Sequence, residues 1–198
     1  MKTLLALAAC VGLALPAADA PAKPAAPAKA AKVVVTADLV CMHCDFGEGD
    51  ACAPALKLDD KTPLLVEGQA AKELFPLRLK KKVVVAEGTL RLKDKQMVLI
   101  ADKARVLEPA DLEKEKGRIP AKGMAVVEGE AICGRCDLAV CDECTLAVKN
   151  SAHAIILDGQ LAADHAEGLG VIKVTGRLFV DPRGLLRIEA TKVDKQKK

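Results

Sequence analysis

The chain has 198 residues, 51% of them hydrophobic, a formal charge of +3, three Phe, and neither Tyr nor Trp. Such a length accommodates more than one small domain, and so mild a charge makes no electrostatic case for a polyanionic partner. The shortage of aromatic residues removes the stacking platforms on which single-stranded nucleic acid is usually held, so no nucleic-acid partner is expected.

Residues 1–20, MKTLLALAACVGLALPAADA, combine Lys2, an apolar stretch over 4–15, and Ala18 and Ala20 around Asp19. This is the layout of a cleavable export signal, and it predicts a secreted or periplasmic protein. A second reading takes Leu7-Ala8-Ala9-Cys10 as a lipoprotein box that leaves Cys10 as a lipid anchor. The signal carries one Lys and one Asp, so its removal leaves the charge at +3. No later stretch reaches the ~18 apolar residues of a transmembrane helix, so no membrane span is expected. Residues 21–32, rich in Ala, Pro and Lys, read as an extended tether.

From there the chain is written twice. Alternating or β-branched runs at 32–40, 55–58, 63–67, 82–92 and 96–107 predict five strands, with a short helix over 69–75 between the third and fourth. The order recurs with strands near 123–132, 145–149, 153–158, 171–180 and 185–193, and a helix over 160–167. Strand, strand, strand, helix, strand, strand is the order of a five-stranded OB-type barrel. The expected fold class is therefore mainly β: two tandem small five-stranded OB-like barrels, each with one short helix between strands three and four. An open sandwich or meander with a helical lid is the alternative. Gly88 and Gly176 fall in the middle of the long fourth strands, where a barrel strand must bend. The domains then span 33–108 and 123–194, joined by a polar linker over 109–122 and followed by a tail, 195–198.

Each copy places cysteines between its first two strands. The first has Cys41, Cys44 and Cys52; the second has Cys133, Cys136, Cys141 and Cys144, a C-x2-C-x4-C-x2-C run. Seven thiols outside the signal cannot all pair with one another, and an exported chain oxidises its thiols unless a metal holds them. A domain of some 75 residues also has little core to spare and calls for a staple. Four thiolates match the ligand count of a tetrahedral zinc site, and all seven cysteines are candidate ligands of a metal ion, zinc first and copper(I) second. Two short-loop disulfides fit the same spacing, and a reactive redox thiol is a third reading. Gly49 stands where Cys141 would fall, so the first copy has an open position for which His43, Asp45 or Asp50 are candidates. Asp45, Glu48 and Asp50 in one loop, and Asp137, Asp142 and Glu143 in the other, should raise thiol pKa values and favour cations.

The order of export signal, strand, C-x2-C, further cysteine, and a remainder ending in a V-x-G strand and hairpin (Val174-Thr175-Gly176 in the second copy) resembles a family of short secreted bacterial proteins. That family is described only as a domain of unknown function, one copy per chain. The resemblance covers 33–107 and 125–193 and implies a secreted OB-like module without adding an activity. Asp45, Asp137 and Thr145 follow the knuckles where covalent haem attachment needs His. Neither a phosphate loop, nor a nucleophile triad, nor an H-E-x-x-H helix is present, so a binding or structural protein is expected before an enzyme.

Overall fold

The structure is a computed structural model that describes residues 30–150, 153–159 and 170–196. The expected signal, most of the tether and the helix over 160–167 lie outside the described residues.

The first half supplies β1 (Lys32–Cys41), β2 (Pro54–Lys57), β3 (Pro63–Glu67), β4 (Val83–Lys93) and β5 (Gln96–Leu107). Strand β1 pairs antiparallel with β2 and β4, β2 with β3, and β4 with β5, while β3 and β5 run parallel. The five strands therefore close on themselves in the order β1-β2-β3-β5-β4, and no edge of the ring is left unpaired. Closure dictates the sequence pattern. Val33, Val35, Ala37 and Leu39 alternate into the interior with Leu56, Leu64, Val84, Leu90 and Leu99, all essentially inaccessible to solvent. Each such leucine stabilises the fold by roughly 1.5–3 kcal/mol relative to exposure. A short helix, α1 (Met42–Phe46), follows β1; α2 (Gln69–Leu74) stands between β3 and β4 and adds Ala70 and Leu74 to the core.

The second half has β6 (Met124–Cys133), β7 (Leu146–Lys149), β8 (Ala154–Asp158), β9 (Val171–Val180) and β10 (Leu186–Lys195). Its pairings repeat the first set: β6 with β7 and β9, β7 with β8, β9 with β10, and β8 parallel to β10.

The two halves are joined by a pairing that the sequence pattern did not announce. Residues 32–36 of β1 run antiparallel to residues 124–128 of β6, with Val34 opposite Val126. Those two valines are separated by the same offset as Cys41 and Cys133, so each repeat presents the same stretch of first strand to the other, related by a local two-fold. Around this seam Asn150 is buried; its Oδ1 accepts from the Ala31 N–H (3.3 Å) and its Nδ2 donates to the Leu90 carbonyl (2.6 Å). Buried residues of both halves form one apolar cluster. The C-terminal end of the expected tether is thus part of the fold, since Ala31 is fully buried and Lys32 opens β1.

The expected linker also carries structure. Helix α3 (Pro109–Lys114) begins with a capping box between Glu108 and Asp111, with proline in the first turn, a start signal masked by the polar composition around it.

Gly88 and Gly176 mark close backbone approach rather than unusual φ. A Cβ at Gly88 would lie 2.0 Å from the Ile100 carbonyl oxygen, and one at Gly176 would lie 2.3 Å from that of Glu189. The β4–β5 register shifts at Glu87/Gly88, so the bend and the bulge coincide there. Gly88→Ala is expected to destabilise the chain by about 1–3 kcal/mol through overpacking, read as a lowered urea midpoint at unchanged m-value. An unchanged midpoint would show that β4 is not held against β5 in this register.

Candidate metal-binding thiolate clusters

Both cysteine loops are built the same way. Cys41 ends β1 and Cys133 ends β6, each the last residue of a strand locked into its ring. The aspartate that follows C-x2-C folds back on the first cysteine: Asp45 Oδ2 accepts the Cys41 N–H at 2.8 Å, and Asp137 Oδ2 accepts the Cys133 N–H at 2.7 Å. A carboxylate on a backbone N–H is a charge-assisted bond, so each C-x2-C is closed into a tight turn by its own neighbour. In the first loop the Met42 N–H reaches the Ala53 carbonyl (2.9 Å), and left-handed Gly47 ends α1. In the second, the Gly134 N–H reaches the Thr145 carbonyl (2.7 Å). These bonds bring the distal cysteines, Cys52 just before β2 and Cys144 just before β7, back to the turn.

The result is two sulfur triads. The Sγ atoms of Cys41, Cys44 and Cys52 lie within 4.8 Å of one another, as do those of Cys133, Cys136 and Cys144. Cys44 and Cys52 approach to 3.5 Å, and Cys136 and Cys144 to 3.7 Å. Sulfurs bound to one tetrahedral zinc at 2.3 Å would be about 3.8 Å apart, so the triads fit a thiophilic cation. In both, the first cysteine is the less exposed and the C-x2-C partner stands in solvent.

Six of the seven candidate cysteines are thus gathered. Cys141 is not in its triad; its sulfur lies over the knuckle, 3.1 Å from where a Cβ on Gly134 would stand. Of the three candidates for an extra ligand in the first loop, Asp45 is taken up by the Cys41 N–H. His43 directs Nδ1 to the Gly49 carbonyl at 2.9 Å, so that nitrogen is the donor. Asp50 is exposed and does not belong to the triad.

The thiols within each triad are unlike. Burial pushes the Cys41 thiol up, but the Cys44 backbone N–H, the Cys44 and Cys52 thiols and the Arg78 guanidinium outweigh it and bring Cys41 down to about 7. Cys44, in hydrogen-bond contact with the sulfurs of Cys41 and Cys52, is pushed up to about 12 by them. At Cys133 the Cys136 backbone N–H is the main influence; it overcomes burial and, with the Cys136 and Cys144 thiols and the Arg135 N–H, brings the thiol down to about 7. Cys136, in hydrogen-bond contact with the sulfurs of Cys133 and Cys144, rises to about 11. The acidic loop residues therefore do not set the thiol pKa values as the sequence suggested. Asp45 and Asp137 spend their charge on backbone N–H groups, and the turn's own N–H groups favour the thiolate of the first cysteine.

Arg78 was not singled out from the sequence. It follows a 3₁₀ turn (Phe75–Leu77), lies over the Phe75 ring with its guanidinium 3.8 Å from the centroid, and donates from Nη1 to the Phe75 carbonyl at 2.6 Å. The available signal was length: residues 68–82 separate β3 from β4, three more than the 159–170 that separate β8 from β9.

No family model matches the chain, and no curated protein matches it. Among solved structures it is similar to the single-stranded DNA-binding protein from Thermus aquaticus, at 18% identity in two crystal structures. A deletion mutant matches at a TM-score of 0.44 over 85% of this chain and 95% of its own. The wild type matches at 0.42 over 87% and 95%. The exclusion of nucleic acid drawn from the sequence is corrected here, because both matched structures are of a single-stranded DNA-binding protein. In physical terms the exclusion asked too much of aromatic content, since phosphate contacts from Lys and Arg supply affinity without stacking. A likeness at this level assigns no activity to the chain. What is established is a mainly β architecture with a closed five-stranded barrel and two cysteine triads that could hold a metal ion.

In the reduced, metal-free chain, iodoacetamide should label Cys133 at a rate that rises through about pH 7 and then levels, while Cys136 stays inert until far more alkaline pH. Cys41 should share the midpoint but react more slowly, because it is buried. Peptide mapping by mass spectrometry reads all three; Cys136 labelling ahead of Cys133 would contradict the arrangement.

Proposed function

We propose that this is an exported protein of two tandem OB-like barrels that binds metal ions through cysteine thiolates, one ion per repeat, and acts as a binding or structural module of the secreted or periplasmic space. Membership in the family of short secreted Cys-x-x-Cys proteins belongs to the same reading. Its main support is the repetition of one arrangement: a strand-ending cysteine, a C-x2-C turn closed by aspartate, and a distal cysteine within 4.8 Å, twice in one chain. Chance proximity of thiols would not be expected to reproduce a backbone bond to the same carboxylate. Zinc is the first candidate and copper(I) the second, because three or four soft sulfur donors suit both. Cys141 is the fourth ligand proposed for the second repeat, reached by a small movement of the knuckle over Gly134. Metal ligation also supplies the staple that small barrels need.

Native mass spectrometry of the protein purified from its own compartment, with and without a thiol alkylator, tests this. The expected result is two zinc or copper ions per chain, with thiols protected from alkylation until a chelator is added. Cys44→Ser should remove one ion and leave the other. A metal-free chain carrying three disulfides would refute it.

A thiol–disulfide role is the second reading, favoured by the 3.5 and 3.7 Å approach of Cys44 to Cys52 and of Cys136 to Cys144. It predicts Cys44–Cys52 and Cys136–Cys144 bridges in the native chain, with Cys41 and Cys133 reduced.

A further inference from the structure

The three sulfurs of each cluster do not hold equivalent positions. In the first, Cys41 is the last residue of β1 and fully buried, whereas Cys44 stands in solvent and Cys52 is half-buried. The close pair is the outer one, Cys44 with Cys52 at 3.5 Å. The second cluster repeats this. Cys133 ends β6 and its sulfur accepts the Cys136 N–H at 3.4 Å, while the exposed Cys136 and Cys144 approach to 3.7 Å. Cys44 and Cys136 lie in the turns, and Cys52 and Cys144 in the loops that precede β2 and β7, so no member of either outer pair is fixed by a β ladder. Each cluster therefore has one anchored sulfur and two that are free to meet.

The clusters differ in what remains once the outer pair is withdrawn. The first repeat has no cysteine beyond its three, because Gly49 stands at the place of Cys141. The second keeps Cys133 and also Cys141, whose sulfur already lies over Gly134 in the same knuckle. Thiolates, not disulfide sulfurs, are the metal ligands, so bridging an outer pair removes two donors at once. One thiolate is then left in the first repeat and two in the second.

We propose that the first repeat is a redox-gated metal site, emptied when a small external disulfide oxidises Cys44 and Cys52, whereas Cys141 makes the second repeat resistant. This rests on the metal-binding reading above, and it makes the Cys44–Cys52 bridge the released state of the metal site. Cys44, the exposed member, attacks one sulfur of the disulfide as a thiolate; the S–S bond breaks and the other half leaves as a thiolate. Cys52 then attacks the Cys44 sulfur, forms the protein S–S bond and expels the second small thiolate. The external disulfide gains the two electrons that the cysteines lose, no proton is consumed, and the ion departs from its one remaining sulfur.

The test uses the full chain, reduced, loaded with two equivalents of Zn²⁺ and exposed to oxidised glutathione while a weak chromogenic indicator reports free zinc. One ion should leave in a first phase, and the second should leave about ten-fold more slowly. Peptide mapping after acid quenching should find the Cys44–Cys52 bridge at the end of the first phase, with Cys41 still open to alkylation. Cys141→Gly, which gives the second loop the residue of the first, should bring the second phase to the rate of the first; Cys141→Ser serves if the glycine variant fails to fold. Both ions retained, both released at one rate in the parent chain, a bridge that includes Cys41, or zinc still held after Cys44–Cys52 has formed would overturn this proposal alone. Failure of the reduced chain to bind zinc would overturn the metal-binding reading along with it.

Discussion

Strand β1 is the element on which the rest depends. It has β4 on one side throughout residues 33–38; on the other it has β6 over 32–36 and β2 over 38–41. One strand thus closes a ring, joins the two halves and ends in the first cysteine. Strand β6 does the same in the second half, flanked by β9 and by β1 and then β7. With neighbours on both sides these strands have no solvent-facing edge, and β1 has hardly a position that water reaches freely. That is why it reads as the nearly unbroken apolar run VVVTADLV, as buried strands do. The cysteine at its tip is held by a strand paired on both sides.

That support accounts for the sulfur chemistry. A C-x2-C placed on a loop would sample many geometries; here its first member is fixed by the ladder and its turn is closed by Asp45 or Asp137. The distal cysteine must then only be returned by the start of the next strand, which pairs beside the first: Cys41 faces Pro54, and Cys133 faces Leu146. The two repeats differ outside this frame, at Gly49 and Cys141 in the loops and in the length of the segment that carries Arg78. The scaffold kept its backbone bonds while the groups at its rim changed.

The duplication, the strand positions and the role of Gly88 and Gly176 were all legible in the sequence, because alternation and repeated C-x2-C are local signals. What was not legible is long-range or composite. The β1–β6 pairing leaves no separate mark, since a strand buried by a second copy looks the same as one buried by its own barrel. Helix α3 was hidden because Glu108, Pro109 and Asp111 read first as linker composition and only afterwards as a cap. The pattern also grouped Cys141 with its neighbours, as spacing alone must, while the backbone turned its sulfur over Gly134. Arg78 leaves no mark of its own, because the turn that seats it over Phe75 is encoded by no cysteine motif.

The antiparallel seam has one further consequence. Because Val34 faces its own counterpart, the two strands run in opposite directions from the midpoint, and each sulfur-bearing tip lies seven residues out along its own strand. Seven residues of strand on each side amount to a contour of about 45 Å at ~3.3 Å per residue. The sulfurs accordingly form two separate groups, each gathered within 4.8 Å, and an ion held by one would not be shared with the other.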